Sequence, residues 1–269
     1  IGDYLSVNDE TPDVTFREYG YLLIATPEKR ALMDENNRRQ REIGADIVPY
    51  ASNELKSEFP WLKTDRASAG YHGVQNEGWV DPYSLLQAYR AKARDLGVAL
   101  LNEEVVSIEC AGDRITSVGL ASGNHLSAGL FINTAGASGV RDLAAAVGLS
   151  LPIESRKRCT FAFDTKTNIG MTPLTIFPEG VTFRPEGSGY ITNAAAPSNR
   201  DPDTQDREVD LELFEEINWP VLASWVPAFE AIKITSALCC HYDVNVLDEN
   251  AIVDKHPSIN NYYFATGFS

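Results

Sequence analysis

Residues 76–101 read NEGWVDPYSLLQAYRAKARDLGVALL, and no other stretch constrains the fold as tightly. Asp81 is a helix N-cap, Pro82 sits in the first turn where its missing N–H is no loss, and Gly97 ends the helix. Leu85, Leu86, Tyr89 and Leu96 make one apolar face, while Lys92, Arg94 and Asp95 lie largely off it. Val98-Ala99-Leu100-Leu101 follows at once and reads as a short buried strand. Helix, glycine, strand is the building unit of an α/β chain.

The flanking segments extend this pattern. FREYGYLLIAT (16–26) alternates and then runs apolar around Gly20, as a hairpin or a turn-broken strand does. Thr26-Pro27-Glu28 opens a helix that Gly44 closes, and its thin apolar stripe, Leu32 and Ile43, places it on the surface. SNELKSEFPWL (52–62) is a short helix stopped by Pro60, with Trp61 as a core residue. From Glu103, the segments EVVSIEC, RITSVGLA and HLSAGLFIN form a small antiparallel meander with turns at 111–113 and 122–124. NTAGASG (133–139) then leads into a helical pattern from Val140 to Val147. Beyond Pro152 come the short strands CTFAFDT, LTIFPEGVTFRP and GYITNAA. A polar loop (197–210), an acidic helix around Leu211–Ile217 and the strand-like EAIKITSALCCHYDV follow. No internal repeat occurs. The expected fold class is α/β, mixed α+β, in two halves that interleave.

A formal net charge of −15 argues against a nucleic-acid surface, which needs clustered Lys and Arg. No run approaches the roughly 20 apolar residues of a transmembrane segment. Cys110, Cys159, Cys239 and Cys240 show neither C-x-x-C nor zinc spacing, and the four histidines are scattered, so no metal site is expected. Reduced thiols in an intracellular protein are the simplest reading. The first residue is Ile1, and no leader follows it, as in a sequence that starts after its natural N-terminus.

Three phosphate and nucleophile motifs are missing: G-x-G-x-x-G, G-x-x-x-x-G-K-[ST] and G-x-S-x-G. One junction instead occurs twice. LFINTAGASG and YYFATGFS each run from an apolar strand through Thr into small residues around a glycine. Such an exit lets a backbone approach a ligand closely and aims helix-terminal N–H groups at a phosphate. Tight strand–helix packing alone also wants a glycine there, so a single junction decides nothing; the pair points to a nucleotide-type cofactor.

GWVDPYSLLQAYRAKARDLGV, then VVSI, then the meander and FINTAGA, resemble the middle of the D-amino-acid oxidase and sarcosine oxidase superfamily of FAD enzymes. The order is the same: a G-x-x-D-P helix, a V-x-x-I strand and an N-x-A-G turn. EYGYLLIAT, FPWL, LPIESRKR, WPVLASWVPAFE and NYYFATGFS resemble further a mitochondrial branch that assists assembly of respiratory complex I, the NADH dehydrogenase.

The resemblance implies an FAD-binding Rossmann-type domain, incomplete here, from residues 81–150 and 242–269. A substrate domain with a large mixed β-sheet would come from 11–80 and 151–241. It implies that the G-x-G-x-x-G and a ribose-binding acid lie upstream of Ile1, and that a helix follows Ser269. Val105, Ala135, Gly136, Gly267, Phe268 and Ser269 match cofactor-binding positions. Val105 meets the adenine through its backbone, and the others belong to the two turns near the pyrophosphate and flavin. For Val105 alone, a core strand residue is the competing reading. The implied substrate is a small amine or amino acid. Arg158 and Tyr242 are candidates to hold its carboxylate, against a strand-end surface charge and ordinary half-buried packing. No catalytic base is assigned. The sequence departs from the family pattern at Thr134, at Ser138-Gly139, at Leu238-Cys239-Cys240-His241 in place of W-A-G-Y, and at Asp254. Two functions are therefore expected: an FAD-dependent oxidation of a C–N bond, or an assembly scaffold that keeps the flavoprotein fold.

Overall fold

The computed structural model of the protein describes residues 2–268. The chain forms two compact units. Ile1–Leu100, Cys159–Ala195 and Val209–Leu238 make the first; Leu101–Arg158, Ala196–Glu208 and Cys239–Ser269 make the second.

A four-residue helix, α1 (Gly2–Leu5), precedes strand β1 (Tyr21–Ala25) and helix α2 (Pro27–Glu42). Pro27 occupies the first turn of α2, and Glu35 pairs with Arg38 and Arg39 on its exposed surface. Next come β2 (Ile47–Ala51), α3 (Ser52–Glu58), β3 (Ala69–Gly73) and α4 (Pro82–Asp95). The Asp81 carboxylate caps α4, accepting from the Ser84 amide at 2.7 Å. Strands β4 (Val105–Ala111), β5 (Arg114–Leu120), β6 (His125–Leu126) and β7 (Phe131–Asn133) precede helix α5 (Gly136–Ala145). Four more strands follow: β8 (Ile153–Thr165), β9 (Leu174–Ile176), β10 (Thr182–Glu186) and β11 (Gly189–Asn193).

After the polar loop, α6 (Leu211–Leu213) continues through a π-helical turn, Phe214–Asn218, into α7 (Trp219–Trp225). Pro220 has no N–H to give the helix, and the wider turn ahead of it accommodates that loss. Strands β12 (Ile232–Asn245), β13 (Ile252–Lys255) and β14 (Tyr262–Thr266) complete the order.

The large mixed sheet has eight strands in the order β12-β8-β11-β10-β9-β1-β3-β2. It is mixed because β1 pairs parallel with β9 and antiparallel with β3. Alternate residues of the first unit's strands (Leu22, Ile24, Phe163, Phe183, Tyr190) meet Leu55, Leu222, Trp225 and Phe229 in one core. Phe177 stacks on Trp225 at 5.6 Å, and Phe183 meets Phe229 edge-on at 5.1 Å. Each fully buried aromatic of this kind contributes about 1.5–3 kcal/mol through the area it removes from water.

The second unit holds two three-stranded sheets, β4-β5-β6 and β13-β14-β7. Its core gathers Ile115, Val140, Ala144, Ile153, Ile259, Tyr262 and Phe264. The buried Asn261 amide docks the turn before β14 onto β5, accepting from the Ile115 amide and donating to the Ile115 carbonyl, both at 2.9 Å.

Three expectations change. Residues 98–101 form no strand, and Val98, Leu100 and Leu101 are exposed. A strand exists through its ladder, and no described strand offers that segment a partner. On α4, Leu86 and Tyr89 are likewise exposed, as is the C-cap residue Leu96, while Ala88 is buried. The third strand of the meander is also two pieces: β6 pairs with β5, whereas β7 pairs with β14. The small residues Ser127-Ala128-Gly129 break the segment between them.

Candidate functional site

Strands β7 and β14 lie parallel, with Tyr262 opposite Phe131 and Phe264 opposite Asn133. Both therefore end at the same edge of their sheet, β7 into Thr134-Ala135-Gly136 and β14 into Thr266-Gly267-Phe268. The carboxyl ends of adjacent parallel strands are where open α/β sheets bind ligands. The two strand exits of the sequence thus become one site.

Each exit is held by a polar side chain. Asn133, buried at the end of β7, accepts from the Ala135 amide at 3.1 Å. Its Nδ2 donates to the Val140 carbonyl at 3.1 Å and to the Tyr262 hydroxyl at 2.9 Å. One amide thereby fixes the turn, the first turns of α5 and the neighbouring strand. Burial pushes the Tyr262 phenol above its ordinary value, and the Asn133 hydrogen bond opposes that shift. At the other exit, Asp243 on β12 accepts from the Gly267 amide at 2.7 Å and from the Thr266 hydroxyl at 2.9 Å.

The glycines are required for different reasons. Gly267 has φ of +74°, and a Cβ there would meet Ile153 Cδ1 at 3.2 Å and the Asn250 carbonyl at 3.3 Å. Gly136 has φ of +59°, and a Cβ there would meet nothing within 4 Å. The backbone of the β7 exit is consequently bare on that side. Helix α5 begins there, and Ala135 gives it no side-chain cap. Its first N–H groups, carrying the positive end of the helix dipole, have an anion's requirements. A bare glycine turn, an uncapped ten-residue helix and a second glycine turn on the adjacent parallel strand fit a dinucleotide pyrophosphate.

Val105 opens β4, half-buried and opposite Leu120. Phe268 is exposed, and Ser269 lies outside the described residues. Arg158 and Tyr242 come together, the guanidinium 5.5 Å from the ring centroid. Arg158 is also clamped by Asp201 through two hydrogen bonds, at 2.8 and 3.1 Å, with both side chains largely buried. Asp201 belongs to an acidic segment that lies along the basic start of β8: Asp203 accepts from Arg141 and the Ser155 amide, and Asp206 from Lys157. Cys240 is exposed, its thiol 3.7 Å from the Arg158 carbonyl. Among the described residues no cluster of three metal-ligating side chains occurs, and no helix is long and apolar enough to cross a membrane.

Asn133 and Asp243 escaped the sequence reading. Asn133 offered a signal, a polar residue at the buried end of an apolar strand, where an unpartnered group would be costly. The half-buried Asp243 near the end of β12 offered none.

The fold and the twin exits define an α/β chain of the class that presents paired strand-end turns to a dinucleotide. The chain belongs to the FAD dependent oxidoreductase family, which it matches over residues 4–269. It is similar to FAD-dependent oxidoreductase domain-containing protein 1 of Xenopus laevis, with 37% identity over 301 residues. That alignment takes in 100% of this chain and 60% of the relative, so the chain spans about three fifths of the relative's length. Among solved structures, L-proline dehydrogenase from P. horikoshii superposes with a TM-score of 0.85 at 22% identity, covering 95% of this chain and 68% of that one. Glycine oxidase from Geobacillus kaustophilus gives 0.81 at 21% identity, covering 95% and 67%.

Proposed function

We propose that the chain is part of an FAD-dependent oxidoreductase that oxidises a C–N bond of a small amine or amino acid. The observation that carries this reading is the pair of glycine turns at one end of the parallel β7–β14 pair, with the uncapped start of α5 between strand and helix. The amides around Ala135 and Gly136 would hold the pyrophosphate, the Gly267–Phe268 turn would lie near the flavin, and the Val105 backbone would meet the adenine. When bound, FAD supplies the acceptor for a hydride equivalent from the carbon attached to nitrogen. This chain's own contribution is to orient and hold, with Arg158 and Tyr242 as the groups that would face a substrate carboxylate. That the superposing structures are an L-proline dehydrogenase and a glycine oxidase supports an amino-acid substrate.

A second reading has its own observation. Arg158 is already occupied by Asp201 through two hydrogen bonds, with both side chains largely buried. A mitochondrial scaffold for complex I assembly would keep such a fold with its substrate group internally closed. The deciding experiment purifies the full-length protein and titrates its flavin anaerobically with sarcosine, glycine and L-proline. Bleaching by one of them supports the oxidoreductase. Yellow protein that none of them, nor a wider amine panel, reduces rejects the enzyme and leaves the scaffold. Colourless protein that takes up no added FAD rejects the enzyme, and rejects FAD as a structural part of the scaffold. Cell fractionation and complex I levels after depletion test the mitochondrial placement.

A further inference from the structure

The first unit contains a cavity of about 300 Å³ that the flavin reading does not use. One wall is built by backbone proximity. Arg17 and Trp79 exchange hydrogen bonds, N to O at 2.7 and 3.2 Å, and Asp81 N donates to the Val14 carbonyl at 3.1 Å. The approach is close enough that a Cβ on Gly78 would lie 1.9 Å from the Arg17 carbonyl. This pairing sets the Tyr19 and Trp79 rings 5.9 Å apart, nearly parallel, as a fixed apolar face. Arg184, from β10 across the cavity, places its guanidinium 5.3 Å from the Trp79 ring centroid.

The charges around the cavity are not equivalent. Asp81 is engaged by the Ser84 amide and hydroxyl, which hold its carboxyl below the usual carboxylate value. Glu186 is engaged by Arg184, and Arg184 also donates to the Pro185 carbonyl. Among the described residues, the exposed Arg17 guanidinium has no side-chain hydrogen bond or ion pair. The lining therefore has two satisfied carboxylates, one satisfied cation and one cation with its charge to offer, above an aromatic face.

We propose that this cavity binds a small monocarboxylate with an apolar body. The carboxylate would meet Arg17 in the bidentate manner that a guanidinium favours, and the body would lie against Trp79 and Tyr19. A free cation excludes a cationic ligand, and the aromatic wall disfavours a bare inorganic anion, which would bury that surface without replacing its water. The site lies wholly within one unit and does not depend on FAD.

The test is calorimetric titration of the chain with phenylacetate and with its neutral counterpart 2-phenylethanol. Phenylacetate is expected to bind at one site, about 10- to 100-fold more tightly than the alcohol, the range that a charge-assisted hydrogen bond commands. R17Q should bring phenylacetate down to the alcohol's affinity and leave the alcohol unchanged. W79L should weaken both ligands together. Arg17 is exposed and its side chain unpaired, so R17Q should keep the thermal midpoint of the unmodified chain. No heat of binding up to about 50 mM, a very weak interaction for a ligand of this size, would overturn the proposal. So would equal affinity for acid and alcohol, or phenylacetate binding that survives R17Q within about twofold.

Discussion

Asp243 is the residue whose removal best separates a built cofactor turn from a merely compact one. In Asp243→Ala two donors lose their acceptor: the Gly267 amide, now 2.7 Å from Oδ2, and the Thr266 hydroxyl, at 2.9 Å. Both residues are buried, Thr266 completely, so neither donor finds bulk water readily. Hydrogen bonds to a charged acceptor contribute about 1.5–3 kcal/mol each. Asp243 itself is half-buried, and water entering its place would recover part of that. The expected loss in unfolding free energy is therefore about 3 kcal/mol, near the lower end of the sum. Asp243→Asn keeps one oxygen and turns an N–H₂ toward a donor, so about half that loss should appear. Thr266→Val removes one of the two bonds, about 1 kcal/mol or somewhat more, and should be non-additive with Asp243→Ala because they share a contact. Urea unfolding followed by circular dichroism measures all four proteins. In the full-length protein the alanine variant should also lose FAD affinity by about tenfold or more, since the turn is no longer held. The reasoning is refuted if Asp243→Ala stays within about 0.5 kcal/mol of the unmodified chain, or if it matches Asp243→Asn.

Gly267→Ala and Gly136→Ala should differ in kind. The first should cost about 1–2 kcal/mol from both φ and crowding, and the second about 1 kcal/mol from φ alone, yet the second should weaken FAD binding more than its stability loss explains. His256 predicts a pH dependence. Burial lowers its pKa, and its Nδ1 accepts from the Ser258 and Ile259 amides at 3.0 and 2.9 Å, which only the neutral ring can do. The unfolded state therefore binds a proton first, and stability should fall as pH drops from about 6.5 toward the lowered value. Thermal midpoints of the chain and of His256→Gln should diverge above pH 7 and converge in acid. Asp201→Asn should release Arg158. The variant should lose about 1–3 kcal/mol of stability by urea titration, and in the full-length protein it should bind carboxylate substrates more tightly, seen as a lower KM at similar kcat.

Local chemistry made much of this structure legible in advance. Asp81, Pro82 and Gly97 mark the helix limits because capping and φ preferences are properties of single residues. The two strand exits were equally visible, since a glycine after an apolar run is a local sign. Partner choice was hidden. Nothing in HLSAGLFIN says that its ends join different sheets, and nothing in Val98–Leu101 says that the described chain offers it no ladder. Asn133 and Asp243 were missed for a related reason. Each works through donors supplied from elsewhere in the fold, and neither Tyr262 nor Gly267 lies within sight of its partner in the sequence. The Arg158–Tyr242 pair was nominated from resemblance, and only the structure reveals that Asp201 stands in front of it.

The β7–β14 pairing has a consequence for how the protein is made. Asn133 and Tyr262, which hydrogen-bond across it, are 129 residues apart in the chain. At about 5–20 residues per second, a ribosome needs roughly 6–26 s between them. Throughout that interval β7 has an open edge where its parallel neighbour will lie, and Ile132 stays outward-facing even in the finished protein. The segment that later frames the cofactor is thus exposed to strangers for longer than most of the fold. Slowing translation between the two strands should increase aggregation of the nascent chain, and a chaperone that covers sheet edges should suppress it.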